Sequence, residues 1–267
     1  MERATIDGLD VRVYRGGEGP PLLYLHSGLG EAGRTRMVER VEQRFSVLAP
    51  EIPGFGTSEA PSWHRVEDAV FFLRCLLDHY EWPPTHAVGA SLGGWLAAEM
   101  AIWFPQRIRS LVLFDPVGIR VEGAPLTDVF LGSREATVAS MFVTAPDDYA
   151  AMLGDAIHGD GDGDGDREAA DAMIHSLRAM EATARIAWNP QFCDPRLLDR
   201  LSRCAAPATV VWGAGDAVVP QAYAEAYAAA FASAELIVLD GVGHLPVLEA
   251  PERAAQIVID ALAGVPA

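Results

Sequence analysis

The sequence predicts an α/β protein: a mostly parallel sheet with helices on both faces, interrupted by an α-helical insertion. Two observations predict this class. Short apolar, β-branched runs alternate with helical patterns along most of the chain, and the alternation stops between residues 118 and 206. A chain of 267 residues that is 50% hydrophobic is long enough for one large core with an inserted segment. We therefore assign residues 1–117 and 207–267 to the core and residues 118–206 to the insertion.

The predicted strands are short runs of apolar residues, which is typical of strands that are buried on both faces of a sheet. They cover residues 11–14, 22–25, 46–49, 87–90, 110–114, 209–212 and 236–239. Helical patterns lie between or after them, at residues 66–79, 92–104, 223–231 and 251–262. Strands that alternate with helices in this way pair in parallel, because each helix returns the chain to the same edge of the sheet.

The charge of the chain argues against several classes of partner. It contains 20 basic and 37 acidic residues, which gives a formal net charge of −17. Such a surface repels phosphate backbones and anionic lipid surfaces, so we expect neither a nucleic acid nor a membrane as a partner. Every basic residue is Arg. The absence of Lys excludes Schiff-base catalysis and phosphate binding by a P-loop Lys.

The cysteines and the first residues predict a cytoplasmic location. Cys75, Cys193 and Cys204 are odd in number and lack the spacing of metal ligands, which favours reduced thiols over a disulfide framework. Residues 1–7 show no apolar core of a signal peptide, and no apolar run approaches the ~20 residues of a membrane span. The sequence leaves the oligomeric state open.

An acidic repeat, residues 159–166, alternates Gly and Asp within the insertion. Such a low-complexity segment predicts a flexible loop with self-repelling charge. Residues 160–171 also fit part of a calcium-loop pattern, with Asp160, Asp162 and Asp164 at positions 1, 3 and 5 and Asp171 at position 12. Arg167 stands where such loops carry an apolar residue, which favours the flexible loop.

The strongest local signal is the sequence Gly-Ala-Ser-Leu-Gly-Gly at residues 89–94. It follows a predicted strand and begins a predicted helix, which is the context that G-x-S-x-G requires. The turn is tight enough that a side chain at Gly89 or Gly93 would clash, and it holds the serine in a strained conformation. Ser91 would then stand above the sheet at a helix N-terminus, as a candidate nucleophile. A chance serine in a Gly-rich turn is the alternative.

A serine hydroxyl needs a base to remove its proton. His244 is the candidate, since it lies on a Gly-rich loop directly after the last predicted strand. The other histidines lie on predicted helices, in loops or, as with His86, before a strand, and His26 ends a strand but belongs to a different element. An exposed loop histidine is the alternative for His244.

The acid that orients the histidine should lie at another strand end. Asp216 follows the strand at residues 209–212 and precedes a helix, while Asp115 follows the strand at residues 110–114. We favour Asp216 because its loop has the longer reach toward His244. An aspartate that only caps a helix is the alternative at this position.

The chain order Ser91, Asp216, His244 is one of the orders in which a serine triad occurs. With this order the sequence resembles the α/β-hydrolase superfamily, in particular its capped serine hydrolases, the esterases and C–C hydrolases. The resemblance covers residues 11–116 and 207–262. It also rests on the motifs at residues 26–30 (His-Ser-Gly-Leu-Gly), 53–58 (Pro-Gly-Phe-Gly-Thr-Ser), 212–216 (Trp-Gly-Ala-Gly-Asp), 243–244 (Gly-His) and 249–252 (Glu-Ala-Pro-Glu). It implies that residues 118–206 form a helical cap over the site.

Acyl transfer passes through an oxyanion that needs fixed hydrogen-bond donors. One expected donor of this oxyanion hole is the backbone N–H of Leu92, the residue after the nucleophile. The resemblance implies the second at Gly28, in the loop after the strand at residues 22–25. The family typically has Gly where this chain has Ser27, which either only adjusts the loop or contacts the substrate. We interpret His26 as a structural anchor of the same loop.

Other substrate contacts are less specific. Trp95 lies one helical turn after Ser91 and either lines the pocket or packs in the core. Trp188, in the insertion, either faces the substrate or is an ordinary buried tryptophan. Arg178 and Arg185 either hold a substrate carboxylate or form salt bridges on a helix surface, which is the use that so acidic a chain favours.

The sequence therefore predicts a cofactor-independent serine hydrolase that cleaves a small carboxylic ester through an acyl-enzyme on Ser91. Two alternatives stay open: hydrolysis of a carbon–carbon bond in a vinylogous diketone, and capture of a small ligand without catalysis. The carbon–carbon hydrolases of this family typically carry Trp after the histidine, where this chain has Leu245. No spacing of His and Asp predicts a metal site.

Overall fold

The computed structural model describes the backbone of residues 1–131, 134–145 and 165–264 and the side chains of residues 1–131, 136–145 and 173–264. Residues 159–164 of the acidic repeat lie outside the described residues, as do the side chains of Asp166 and Asp171. Calcium binding by residues 160–171 and its alternative, a flexible loop, therefore both stay predictions.

The described residues form one eight-stranded sheet in the order β1-β2-β4-β3-β5-β6-β7-β8. The strands are β1 (Glu2–Ile6), β2 (Leu9–Gly16), β3 (Pro21–Leu25), β4 (Ser46–Pro50), β5 (Thr85–Ala90), β6 (Ile108–Phe114), β7 (Ala208–Gly213) and β8 (Ala234–Leu239). The pairs β1–β2 and β2–β4 are antiparallel, and every other pair is parallel. The carboxyl ends of β3 and β5 to β8 thus share one edge of the sheet.

Helices connect these strands. In the described residues they are α1 (Arg36–Val41), α2 (Val66–His79), α3 (Leu92–Trp103), α4 (Arg134–Met141), α5 (Gly165–Ala187), α6 (Leu197–Leu201), α7 (Ala222–Ala230), α8 (Pro246–Glu249) and α9 (Pro251–Leu262). Helix α1 packs against α8 and α9, whereas α2 packs against α3, and α6 packs against both α3 and α7.

The central strands confirm the predicted covering of both faces. Every residue of β5 and β7 is buried, and β3 and β6 each leave one residue partly exposed. Because successive strand residues point to opposite faces, a strand buried at every position must be covered on both sides. The hydrophobic core therefore lies on both faces of the sheet, and its burial supplies the main driving force for folding.

Three elements of the core were not predicted: β1, α1 and the four-residue helix α8. Strand β1 consists of Glu, Arg, Ala, Thr and Ile, and four of its five residues are at least partly exposed, so it has no apolar run. Helix α1 spans only six residues, which is too short to show a clear helical period. The predicted position of His86, before its strand, was also wrong. His86 lies inside β5 and is buried, with its Nδ1 2.8 Å from Ser110 Oγ.

The described part of the insertion contains the helices α4, α5 and α6 joined by loops, and α5 lies across the loops that follow β3 and β4. Arg178 donates to the carbonyl oxygen of Gly56 at 2.7 Å, and Arg185 donates to that of Pro61 at 3.2 Å. The two arginines thus hold α5 to the core rather than facing a substrate. None of the helices described has the length and apolar composition needed to cross a bilayer.

Candidate active site

Ser91 lies at the sharp turn from β5 into α3. Its φ of 50° and ψ of −111° fall outside the regions that L-residues favour. A Cβ on Gly89 would clash with the backbone of Gly93, and a Cβ on Gly93 would clash with the carbonyl group of Leu25. The predicted role of both glycines is confirmed, because β3, β5 and α3 approach one another too closely here for side chains.

The structure brings the three predicted residues into one hydrogen-bonded row. His244 Nε2 lies 2.9 Å from Ser91 Oγ, and His244 Nδ1 lies 2.8 Å from Asp216 Oδ2. Because Asp216 accepts at Nδ1, the proton of a neutral imidazole stays on that nitrogen and Nε2 faces the serine as an acceptor. The histidine is therefore positioned to take the Ser91 proton.

Asp216 is held by its own loop. Its Oδ1 accepts hydrogen bonds from the N–H groups of Val218 and Val219, both at 2.8 Å, which leaves Oδ2 directed at His244. The alternative of a helix-capping aspartate is wrong, because α7 begins at Ala222 after the N-cap residue Gln221 and Asp216 Oδ1 binds its own loop instead. These bonds fix the orientation of the carboxylate.

Asp115, the second candidate acid, is fully buried next to Asp216, and the Nδ1–H of His244 donates to Asp216 rather than to Asp115. Its Oδ1 accepts from the Gly213 N–H at 2.8 Å. Burial, and then the neighbouring charge of Asp216, raise the pKa of Asp115 well above its usual value. The preference for Asp216 over Asp115 as the histidine's partner thus agrees with the geometry.

The loop after β3 lies beside the row. Gly28 and Leu92, the two expected oxyanion donors, line the same cavity as Ser91. As the first residue of α3, Leu92 has an N–H without an intrahelical acceptor. The carbonyl oxygen of Gly28 accepts from Thr183 Oγ1 of α5 at 2.9 Å, which ties this loop to the insertion.

Ser27 is part of a buried network that shapes the loop. Its N–H and its hydroxyl donate to the carboxylate of Glu31 at 2.7 and 2.5 Å, and its Oγ accepts from the Leu29 N–H at 3.1 Å. Burial raises the pKa of Glu31. Ser27 also lines the cavity, so both interpretations of its hydroxyl remain compatible with its place.

His26 anchors the loop, as predicted from its position. Its Nε2 accepts from the Ile52 N–H at 3.0 Å and its Nδ1 donates to the Ser27 carbonyl oxygen at 2.7 Å. Burial lowers the pKa of His26 to about 4. A neutral imidazole with both nitrogens engaged joins the loop after β3 to the loop after β4.

Two predicted substrate contacts do not lie at the cavity. Trp95 is buried beneath Gly118, with its Nε1 donating to Glu99 at 3.3 Å. Trp188 is 49% exposed, and its ring packs edge-on against that of Phe130, with 5.3 Å between the ring centroids. It therefore neither lines the cavity nor is a buried tryptophan. Helical spacing from Ser91 gives a shared face but not the direction of that face, which is why the sequence could not decide between the pocket and the core for Trp95; the structure places it in the core.

The histidine loop depends on residues that sequence reasoning missed. Glu249 accepts from the Gly243 N–H at 2.7 Å and from the Thr144 N–H at 2.5 Å. The His244 N–H donates to the Met141 carbonyl oxygen at the end of α4 at 2.7 Å. The insertion therefore contacts the histidine loop directly, at the His244 N–H, and indirectly, through the side chain of Glu249. Only the Glu-Ala-Pro-Glu motif pointed to Glu249.

Oxygens of Asp115 and Asp216 and a ring nitrogen of His244 lie within 4.8 Å of one another, close enough to share a metal ion. Hydrogen bonds already pair His244 with Asp216 and Ser91, and Asp115 with Gly213. Proton transfer accounts for this cluster without an ion, and the absence of a metal or other cofactor stays a prediction.

An apolar cavity of about 260 Å³ opens above Ser91 and His244. Its walls combine the loop after β3, the start of α3 and residues of the insertion, among them Phe130, Leu177 and Phe192. Ser91 and His244 thus lie together in a largely apolar cavity at the carboxyl edge of a mostly parallel sheet, an arrangement typical of α/β hydrolases.

The chain belongs to the alpha/beta hydrolase fold family, which matches residues 20–251. A solved structure of a putative lipase from Acinetobacter baumannii AYE superposes with a TM-score of 0.80 at 20% identity, over 98% of this chain and 90% of that one. The fold predicted from the sequence is thereby confirmed.

Two curated relatives carry named activities. A pimeloyl-[acyl-carrier protein] methyl ester esterase of Aeromonas hydrophila is 26% identical over 256 residues, which cover 94% of this chain and 98% of the esterase. A 2-hydroxy-6-oxo-2,4-heptadienoate hydrolase of Pseudomonas putida is 38% identical over 128 residues, which cover 45% of each chain. The family thus includes both esterases and carbon–carbon hydrolases among the relatives of this chain.

Proposed function

We propose that this chain is a cofactor-independent serine hydrolase that cleaves a small carboxylic ester through an acyl-enzyme on Ser91. The observation that carries the proposal is the row of 2.9 and 2.8 Å contacts from Ser91 through His244 to Asp216 on the floor of an apolar cavity. The full-length likeness to a methyl ester esterase supports an ester as the bond cleaved. We further propose residues 118–206 as the cap that closes the cavity.

The proposed reaction has two halves. Ser91 Oγ attacks the ester carbonyl carbon while His244 Nε2 takes the hydroxyl proton, and the N–H groups of Gly28 and Leu92 hold the oxyanion. The carbon–oxygen bond breaks, and His244 returns the proton to the departing alcohol. A water then attacks the acyl-enzyme with His244 as base, which releases the carboxylic acid and restores Ser91.

Hydrolysis of p-nitrophenyl acetate and butyrate by the purified protein tests the proposal. We expect Ser91→Ala to abolish turnover and Ser202→Ala, an exposed control, to leave it unchanged. Activity that persists in Ser91→Ala would overturn the proposal. Incubation with EDTA is expected to leave the rate unchanged, since no step uses a metal.

A second candidate is cleavage of a carbon–carbon bond in a vinylogous diketone, favoured by the 38% identity to the heptadienoate hydrolase over 45% of the chain. Leu245 speaks against it, because Trp is typical after the histidine in those hydrolases. Faster cleavage of a 2-hydroxy-6-oxo-dienoate than of every ester assayed would reverse this order. Failure of a fluorophosphonate to label Ser91 would instead favour capture of a ligand without catalysis.

A further inference from the structure

The walls of the cavity above Ser91 carry no fixed charge. None of its described lining residues is Arg, Asp or Glu, and His244 is the titratable side chain among them. Aliphatic, methionine and phenyl side chains form most of the wall, and the remaining polar groups are hydroxyls such as those of Thr137 and Ser176. Burial of an apolar substrate group in a site of this composition is favourable, whereas a charged substrate group would find no counter-ion there.

The apolar wall continues outward along α5. Met173, Leu177 and Met180 line the cavity and are also 60%, 56% and 40% exposed, respectively. One side of the cavity thus leads to the surface over apolar side chains. An apolar chain that extends from the scissile bond along α5 would remain in contact with apolar groups over its length.

The described arginines nearest this wall are engaged elsewhere. Arg178 and Arg185 of α5 donate to the carbonyl oxygens of Gly56 and Pro61. Arg120 donates to the carbonyl oxygen of Gln191 at 3.1 Å. The stretches of backbone outside the described residues contain no Arg or Lys. Arg134 and Arg167 are the two arginines whose side chains are not described.

A carboxylate on the substrate would therefore lose its hydration in the cavity without meeting a cation. Burying an unpaired carboxylate costs far more than burying a neutral group of the same shape. The net charge of −17 adds long-range repulsion of anions as they approach. Both effects act in the same direction.

We propose that the site selects electrically neutral esters with an apolar acyl or alcohol group and rejects anionic ones. This inference rests on the proposed function and names its substrate class. It also ranks the dienoate alternative lower, because a dienoate brings a carboxylate that no described residue of the cavity can pair.

Two esters that differ in charge test the proposal: p-nitrophenyl methyl glutarate, which is neutral, and p-nitrophenyl hemiglutarate, which is an anion at pH 7. They have the same scissile bond and nearly the same length. We expect kcat/KM to be at least about 100-fold higher for the neutral ester. Equal values, or a higher value for the hemiglutarate, would overturn the proposal.

Variants of Leu177 test whether the cavity wall sets this preference. Leu177→Arg introduces a cation at a half-exposed lining position, and we expect it to lower the ratio of the two kcat/KM values by about 10-fold. Leu177→Gln is the matched neutral control, with a ratio close to that of the wild type. Arg134→Gln and Arg167→Gln are also expected to keep the wild-type ratio; a loss of hemiglutarate turnover in either would contradict an uncharged site.

Failure of the proposed function can be told apart from failure of this inference. If neither ester is hydrolysed and a fluorophosphonate does not label Ser91, the hydrolase proposal fails. Dimethyl glutarate and monomethyl glutarate, a neutral compound and an anion that lack the reactive nitrophenyl ester, then serve as ligands, and titration calorimetry gives their Kd values. Tighter binding of the neutral compound would still support charge selection, and tighter binding of the anion would overturn it.

Discussion

Asp115 and Asp216 follow neighbouring strands, β6 and β7, and their carboxylate oxygens lie within 4.8 Å of each other. Asp216 accepts three hydrogen bonds, from Val218, Val219 and His244. Asp115 accepts one, from Gly213, and its Oδ2 has no partner among the described residues. Two buried carboxylates this close cannot both remain charged at low cost. Burial and then the neighbouring Asp216 carboxylate raise the pKa of Asp115, which favours its protonated form.

Replacing Asp115 by Asn should preserve ester hydrolysis, because an amide has the shape of the protonated acid and can still accept from Gly213. We expect kcat within about threefold of the wild-type value, since no charge is lost from the row. Steady-state kinetics on p-nitrophenyl butyrate check this. A loss comparable to that of Asp216→Asn would show that Asp115 supplies the working negative charge.

The same variant should be more stable than the wild type at neutral pH. The folded-state pKa of Asp115 is raised, so unfolding releases a proton once the pH exceeds the unfolded value of about 4. Protonated Asp115 thus makes its full contribution to the free energy of unfolding below the unfolded-state pKa. This contribution declines as the pH rises toward the folded-state pKa. Urea unfolding at pH 5 and pH 8 should show a stabilisation by Asp115→Asn that grows with pH. A difference independent of pH would contradict this assignment.

Asp216→Asn should lower kcat by about 10⁴-fold, because an amide cannot stabilise the imidazolium that forms on His244. Oδ1 of the asparagine still accepts from Val218 and Val219, so the loop should keep its shape. The measurement is single-turnover hydrolysis, with thermal unfolding as the control for folding. A loss below about tenfold would mean that this carboxylate is not part of the mechanism.

Arg200→Met should destabilise the fold by about 3–5 kcal/mol, because it leaves the buried carboxylate of Glu99 without its cation. Arg200 Nη2 lies 2.6 Å from both Glu99 Oε1 and Asp194 Oδ2, and this pair joins α6 to α3. Urea unfolding measures the change. Arg203→Met, at an exposed neighbouring position, is the control and should change stability by less than about 0.5 kcal/mol. Equal effects of the two variants would contradict the ion-pair account.

Thr183→Val should lower kcat about 3- to 10-fold and leave KM nearly unchanged. The hydroxyl of Thr183 holds the carbonyl oxygen of Gly28, and its loss costs about 1 kcal/mol of support for the proposed oxyanion donor. Thr183→Ser keeps the hydroxyl and should restore most of the rate. If Thr183→Val matches the wild type, the insertion does not position this loop.

The sequence predicted those parts of the fold and site that leave a local signature. The central strands are continuous apolar runs, and the Ser91 turn needs glycines on both sides, so both were recognisable. The reach of the Asp216 loop toward His244 was a weaker signal, yet it distinguished Asp216 from Asp115.

The remaining features depend on contacts between distant segments. The burial of Glu31 and Asp115 was not predicted, because carboxylates are rarely buried and the sequence does not show which groups they bind. Strand β1 lies at the edge of the sheet, and four of its five residues are at least partly exposed. Exposed positions do not need apolar side chains, so β1 has no apolar run. No pattern in the insertion indicated that Trp188 would pack outside the cavity.

Labelling of Ser91 by a fluorophosphonate, located by peptide mass spectrometry, tests the central claim most directly. The account predicts one adduct, on Ser91, in the wild-type protein and labelling slowed by about 10³-fold in His244→Gln, because the base is then missing. An adduct at any other residue, no adduct, or labelling at the same rate in His244→Gln would contradict an activated serine at this position.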